Sequence, residues 1–479
     1  MFRPVARRGH TRLHSRANAP LRALTRSKRM ETADELDRLY PAHVAALQRR
    51  VGRALAGIDC GALAIGAGHL KYRFLDDRPD PFAVNPHFKA WVPILDAPGS
   101  FLLCVPGRRP TLLFVQPEDY WHKPPSLPDG EWLDQFDVKV LRRAGDAREH
   151  IPPRTAYLGE VFPGIDDWGF ELQNPPALLD PLHFARAEKT PYELACMREA
   201  SRVGALGHRA ALRAFEGGAS EYEIHLEYLA ASGLLEAELP YSNIIAVNEH
   251  AAILHYTDLK RVPAGTRRSF LIDAGGQFRG YASDITRTYA TSQSPFADLV
   301  AGVERLQQQL CAMVVPGTYY PDIHLAAHRL IGQLLADLGI VTCSGESAVD
   351  HALTSVFFPH GVGHLLGLQV HDVGGHQASA SGGVAPPPAQ HQFLRLTRRL
   401  EAGAVVTIEP GVYFIDLLLQ KAQGDGRGRH IDWDTVADLA PYGGVRIEDN
   451  VVATAEGPEN LTRAAFASLG SSSRVEGRA

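Results

Sequence analysis

Four carboxylates in the second half of this chain stand at the ends of strand-like runs or beside glycine turns. That recurrence constrains the fold more than any other feature. In Phe270-Leu-Ile-Asp273-Ala-Gly-Gly276 an apolar run stops at an aspartate followed by two glycines. Tyr281-Ala-Ser-Asp284-Ile-Thr-Arg287-Thr then alternates as a half-buried strand does. The two segments can pair as a hairpin through residues 275–280, which would bring Asp273 and Asp284 together. Two acids side by side repel unless a cation or a proton lies between them. Taken singly, each is better read as a turn or strand-edge aspartate.

Two further runs repeat the pattern. Ala404-Val-Val-Thr-Ile408-Glu409-Pro410-Gly411 carries a β-branched stretch to a glutamate and a Pro-Gly break. Gly443-Gly-Val-Arg446-Ile-Glu448-Asp-Asn450 puts Arg446 and Glu448 two apart, on one face of a strand, where a cross-strand ion pair is the plain alternative. Between them lies Phe358-Pro-His360-Gly-Val-Gly-His364, too rich in Pro and Gly for a helix. Its glycines let the backbone approach a ligand. His371 follows downstream. The set of four carboxylates with one imidazole, Asp273, Asp284, His364, Glu409 and Glu448, suits Mn²⁺, Fe²⁺, Co²⁺ or Zn²⁺, and its carboxylate excess leans towards Mn²⁺. Two such ions about 3.5–4 Å apart can share bridging carboxylates and a hydroxide that is nucleophilic at neutral pH.

The rest of the chain frames this region. A length of 479 residues calls for two or three domains. Residues 32–56 have helical spacing at Leu36, Tyr40, Val44, Leu47 and Val51. Strand-like runs follow at 62–65, 101–105, 111–115 and 156–159, with a Pro-, Trp- and charge-rich stretch at 117–153. An α/β domain over residues 30–185 is expected. Thr190-Pro191-Tyr192-Glu193 is a helix start, with a capping Thr and Pro at the first helical position. It opens a second domain, 186–467, with helices near 221–232, 296–314 and 321–338. Residues 378–388 are expected as an exposed loop and 468–479 as a disordered tail.

Residues 1–29 hold nine Arg or Lys and no acid, and without them the formal charge falls from −5 to −14. Such a stretch suits a transit peptide or an upstream extension before a true start at Met30, which is the reading preferred here. It is expected to be disordered or not native. A net charge of −5 gives no reason to expect nucleic acid as a partner. No apolar run is long enough to cross a bilayer. Five scattered cysteines without a Cys-x-x-Cys pair fit a reducing compartment, so a cytoplasmic protein is expected. Nucleotide loops, a His-Glu-x-x-His zinc motif and a Gly-x-Ser-x-Gly elbow are all missing.

In these contexts the order Asp, Asp, His, Glu, Glu resembles the pita-bread metallopeptidase family, which includes methionine aminopeptidases, aminopeptidase P and prolidases. Within it the chain is most similar to the bacterial Xaa-Pro dipeptidase (prolidase) group and the related organophosphorus acid anhydrolases. The likeness rests on Leu239-Pro-Tyr241, Ala251-Ala-Ile-Leu-His255-Tyr, the His360 and His364 segment, Gly367-Leu-Gln-Val-His371-Asp, Phe393-Leu-Arg395 and the Arg446 and Glu448 segment. At the N-terminal end Phe74-Leu-Asp76-Asp77 and Lys89-Ala-Trp91-Val-Pro extend it. His250 and Leu365 depart from the pattern, where Asn and Pro or Phe are usual; neither is a proposed ligand.

The resemblance implies a prolidase-like α/β domain followed by a pita-bread catalytic domain. It implies two metal ions on the five ligands and a bridging hydroxide that attacks the bond before proline. Glu409 would shuttle the proton, with His255 and His371 steadying the oxyanion. His360 and Tyr241 would line the pocket. Arg395 and Arg446 would grip the substrate's C-terminal carboxylate. It also implies a homodimer, with Asp77 or Trp91 reaching a partner's site. Aminopeptidase P, an organophosphorus hydrolase and a non-catalytic binder are the alternatives.

Overall fold

The computed structural model describes the backbone of residues 19–471 and the side chains of residues 32–470. Its first helix, α1 (Ala19–Ala56), begins inside the basic stretch rather than after Met30. The remainder of the expectation for residues 1–29 lies outside the described residues, as does that for residues 472–479. Leu36, Tyr40, Val44, Leu47 and Val51 recur every three or four positions along α1, and all five are buried.

They pack on a six-stranded sheet in the order β4-β3-β2-β1-β5-β6. Its strands are β1 (Ala62–Gly66), β2 (Phe101–Cys104), β3 (Thr111–Val115), β4 (Asp137–Leu141), β5 (Thr155–Leu158) and β6 (Leu172–Gln173). The sheet is mixed, β1 running antiparallel to β2 and parallel to β5. β4 lies inside the Pro- and Trp-rich stretch, where no strand was expected. Four of its five residues are exposed, so it carries no apolar run of its own. The short helix α2 (Pro86–Lys89) and α3 (Pro176–Ala185) complete this half.

The second half opens with α4 (Pro191–Glu216). Thr190 caps it, Oγ1 accepting from Glu193 N while the Glu193 carboxylate accepts from Thr190 N at 2.8 Å. The cap is also a joint between the halves, because the Thr190 hydroxyl meets His43 Nδ1 of α1 at 2.8 Å. Tyr40 and Tyr192 pack edge to face beside it. α5 (Glu221–Ser232) follows, then β7 (Ile244–Val247) and β8 (Ser269–Asp273). The expected hairpin is interrupted. β8 pairs with β11 (Thr286–Ala290), and the tip forms a separate ladder of β9 (Gln277–Phe278) and β10 (Tyr281–Ala282).

Helices α6 (Pro295–Cys311) and α7 (Tyr320–Asp337) form the largest core with the strands behind the site. The short α8 (Gly345–Asp350) and α9 (Thr354–Phe357) lead to the histidine segment. The loop at 378–388 contains a small hairpin, β12 (Gln377–Ser379) with β13 (Gly382–Val384). β14 (Val405–Ile408) and β15 (Gly411–Tyr413) form one broken strand. Helices α10 (Asp416–Gly424) and α11 (Trp433–Leu439) follow it. β16 (Gly444–Arg446) and β17 (Asp449–Thr454) form the second broken strand, and β18 (Gly457–Asn460) pairs with β17. The chain closes on α12 (Leu461–Ser471), which replaces the expected tail for residues 468–471 with helix. No described helix is long and apolar enough to cross a membrane.

Candidate metal centre

The two broken strands face one another. β14 pairs with β17 up to Ile408↔Asp449, and β15 pairs with β16 from Gly411↔Arg446. Both strands break at the same level, and the residues at the breaks are Glu409-Pro410 and Ile447-Glu448. A break releases side chains from strict alternation and aims both glutamates inward. On one flank Thr286 of β11 bridges to Glu448, whose N–H donates to the Thr286 carbonyl at 3.0 Å. Asp273 and Thr286 are direct partners across β8 and β11.

On the other flank the histidine segment lies along β14. Thr407 N donates to His364 O at 3.0 Å, and Glu409 N donates to Val362 O at 2.8 Å. His364 N donates to Thr407 Oγ1 at 3.1 Å. Gly363 makes this approach possible. Its φ is +152°, and a Cβ there would collide with the Thr407 carbonyl.

Asp284, His364 and Glu448 each offer a ligand atom, and these atoms all lie within 4.8 Å of one another. All three residues are buried. His364 Nδ1 donates to the Leu365 carbonyl at 2.9 Å, which leaves Nε2 as the nitrogen facing the carboxylates. That Nε2 is 3.4 Å from Asp284 Oδ2 and 3.7 Å from Glu409 Oε1. Asp273 adjoins them, accepting from Tyr241 OH at 2.8 Å and from Arg446 Nη2 at 2.7 Å.

Burial and mutual repulsion mark this as a site built for positive charge. Glu448 is held well above the usual carboxylate range by burial and by the charges of Asp284, Glu409 and Asp273. Burial raises Glu409 to about 7, with His364 opposing the shift and Asp284 adding to it. Burial also raises Asp273, against the pull of Arg446. For Asp284, burial is outweighed by its hydrogen bond to His364 and that imidazole's charge, and its carboxyl is lowered. Four carboxylates and one inward imidazole nitrogen fit two divalent cations, which would relieve this repulsion.

The surrounding residues hold the donors in place. Thr286 Oγ1 donates to Glu448 Oε2 at 2.7 Å and accepts from Arg446 Nε at 3.2 Å. Arg446 Nη1 donates to Tyr413 OH at 3.0 Å, and Tyr413 OH meets His360 Nε2 at 2.8 Å. Arg446, expected beside Arg395 as a grip on substrate, is therefore buried and committed to Asp273, Thr286 and Tyr413. Tyr413 and Thr286 went unnoticed in the sequence. Their only signal is a position two residues from a candidate ligand or from Gly411.

The other expected site residues ring the opening. His371 is exposed, with its ring edge-on to His364 at 4.4 Å. Burial, then the charges of His364 and Arg395, lowers it to about 4, so it is neutral at neutral pH. His255, also exposed, is close enough for its charge to act on both His360 and His371. Arg395 is exposed and has no ion-pair partner among the described residues. A cleft of about 1150 Å³ runs from His371 between the two halves of the chain, past Lys89, His87, Arg186 and Pro240.

The departures sit apart. His250 bonds to Glu221 at 2.7 Å, and Leu365 is buried in the core behind the site. Trp91 is only 3% exposed and lies in the core of its own chain, so it cannot reach a partner's site; Asp77 is exposed.

The fold and this donor set define a pita-bread metallohydrolase. Residues 195–455 match the model of metallopeptidase family M24, and residues 38–184 match the N-terminal domain of Xaa-Pro dipeptidase. The chain belongs to metallopeptidase family M24, in its Xaa-Pro dipeptidase branch. It is 48% identical to the Xaa-Pro dipeptidase of Shewanella loihica over 90% of this chain and 98% of that protein. The Xaa-Pro dipeptidase of Stenotrophomonas maltophilia is also 48% identical, over 90% and 97%. Among solved structures, zinc-substituted Escherichia coli aminopeptidase P in complex with product superposes with a TM-score of 0.66 at 22% identity, covering 87% of this chain and 94% of that one. Aminopeptidase PepP of Pseudomonas aeruginosa gives 0.66 at 24%, covering 88% and 98%.

Proposed function

We propose that this chain is a metal-dependent Xaa-Pro dipeptidase that hydrolyses dipeptides ending in proline. The observation that carries the reading is the convergence of Asp284, His364 and Glu448 within 4.8 Å, on a chain 48% identical to Xaa-Pro dipeptidases over nearly its whole length. Asp273, Asp284, His364, Glu409 and Glu448 would hold two divalent metal ions. When bound, such a pair supplies Lewis acidity and an activated water at neutral pH. The carboxylate-rich donor set favours Mn²⁺ over Zn²⁺.

The chain's own residues do the rest. Glu409 takes the water proton and passes it to the leaving proline nitrogen. Neutral His371, with His255, donates to the developing oxyanion. His360, held by Tyr413, and Tyr241 shape the pocket. Arg395 grips the C-terminal carboxylate and so measures substrate length. Arg446 holds Asp273 in place. The same centre supports attack on organophosphorus esters as a side activity.

We take residues 30–185 as the N-terminal domain and 186–467 as the catalytic domain. The exposed Tyr72, Phe74 and Leu75 beside Asp77 support a homodimer, since such a patch is best covered by a second copy. Free thiols at all five cysteines support a reducing, cytoplasmic setting. The testing experiment is Glu409→Ala with Mn²⁺ on a Xaa-Pro dipeptide. Turnover should fall by at least ~100-fold; near-normal turnover refutes the assignment.

A further inference from the structure

Around the Phe358 ring, which also packs against His360, three histidines converge. His324 and His328 are four apart on α7 and share one face. His391 comes from the turn that leads to Arg395. One nitrogen from each lies within 4.8 Å of the others. The His328 and His391 rings lie 4.4 Å apart, tilted by 41°. His324 stands edge-on to both neighbours, with centroids 4.7 Å from His328 and 4.5 Å from His391.

We propose that His324, His328 and His391 form a third divalent-metal site, separate from the two-metal centre and selective for an imidazole-preferring ion such as Zn²⁺. Three observations carry this. First, His324 is 1% exposed and neither of its nitrogens has a hydrogen-bond partner. A buried polar group left unsatisfied is costly, so it calls for a ligand. Second, His328 Nδ1 meets Thr354 Oγ1 at 2.8 Å. A ligating imidazole typically spends its other nitrogen on such a bond; with Nδ1–H donating to the hydroxyl, Nε2 keeps its lone pair for an ion. Third, His391 is only partly buried, which gives an ion a path in and leaves its fourth position to solvent. Burial lowers His324 to about 2 and His328 to about 3, so both present lone pairs at neutral pH.

A tetrahedral ion with bonds of about 2.0–2.1 Å needs its nitrogens about 3.3 Å apart, so the ring of His391 must draw inward on binding. Imidazole-only donors suit Zn²⁺, Cu²⁺ or Ni²⁺ far better than Mn²⁺. The ion would tie the turn at His391 to α7. That turn is closed by His391 N donating to Pro388 O and Leu394 N donating to His391 O, and Arg395 is the next residue. The ion would therefore position Arg395; this consequence rests on the function proposed above, whereas the site itself does not.

The test is zinc stoichiometry. Metal-free protein is dialysed against Zn²⁺ and its bound metal measured by elemental analysis, for wild type, His391→Gln, His328→Asn and Asp284→Asn. Wild type should hold one more zinc per chain than either histidine variant, while Asp284→Asn keeps the extra ion and loses metal from the carboxylate centre. Because His391 is on a partly exposed turn, its variant keeps the fold, which circular dichroism checks. Equal zinc in wild type and a folded His391→Gln overturns the proposal. Unchanged zinc in Asp284→Asn would instead count against the carboxylate centre, so the two failures are distinct.

Discussion

Replacing Glu409 by glutamine should stabilise the metal-free protein while abolishing its chemistry. The Glu409 carboxyl sits at about 7 in the folded chain against an ordinary 4.5, because burial and the charge of Asp284 disfavour its ionised form. Between those values the folded chain holds a proton that the unfolded chain has released. Stability therefore falls as pH rises from 4.5 to about 7, and is level above that. At about 1.4 kcal/mol per unit the penalty comes to about 3 kcal/mol at pH 8 and less than about 1 kcal/mol at pH 5. Glutamine keeps the shape and carries no charge. Urea unfolding of the chelator-treated proteins should show Glu409→Gln more stable than wild type by about 3 kcal/mol at pH 8, with the gap closing towards pH 5. Added Mn²⁺ should reverse the order at pH 8, because only wild type keeps the full donor set. Equal stability at pH 8, or a gap independent of pH, would refute the account of a charge-strained carboxylate cluster.

Other perturbations test the framework. Gly363→Ala forces a side chain into the Thr407 carbonyl at a left-handed φ; it should cost at least ~2 kcal/mol and weaken metal retention, read by unfolding and elemental analysis. Thr190→Ala removes a helix cap and its contact to His43, and should lower stability by about 1–2 kcal/mol with kcat unchanged. Arg395→Ala should raise KM for a Xaa-Pro dipeptide by ~10- to 100-fold, with Arg395→Lys recovering only part of the loss; an unchanged KM would remove Arg395 from the substrate site.

Much of this was legible in the sequence because local chemistry and fold agree. The Thr190-Pro191-Glu193 signal marks α4 to the residue, and α5 spans the expected 221–232. The five candidate ligands could be proposed because each stands at a strand-like end or in a glycine turn, a property written into Gly, Pro and β-branched neighbours. The breaks at Glu409 and Glu448 were half visible; that they fall at one level depends on pairing across about forty residues, which no local pattern carries. β4 was missed because an edge strand with exposed side chains has no apolar rhythm. Arg446 was misjudged for a related reason. Its spacing from Glu448 shows a shared face, but only tertiary structure shows that Asp273 and Tyr413 occupy its guanidinium. The histidines at 324, 328 and 391 were invisible because the third lies more than fifty residues beyond the helix.

The central claim is that a two-metal centre serves a site that measures a dipeptide. The most direct test compares kcat/KM of the Mn²⁺-loaded protein on a Xaa-Pro dipeptide with that on the Xaa-Pro-Yaa tripeptide sharing its first two residues. Faster cleavage of the dipeptide is predicted, since only its proline carboxylate is free to meet Arg395. Faster cleavage of the tripeptide would contradict the claim and make the chain an aminopeptidase instead.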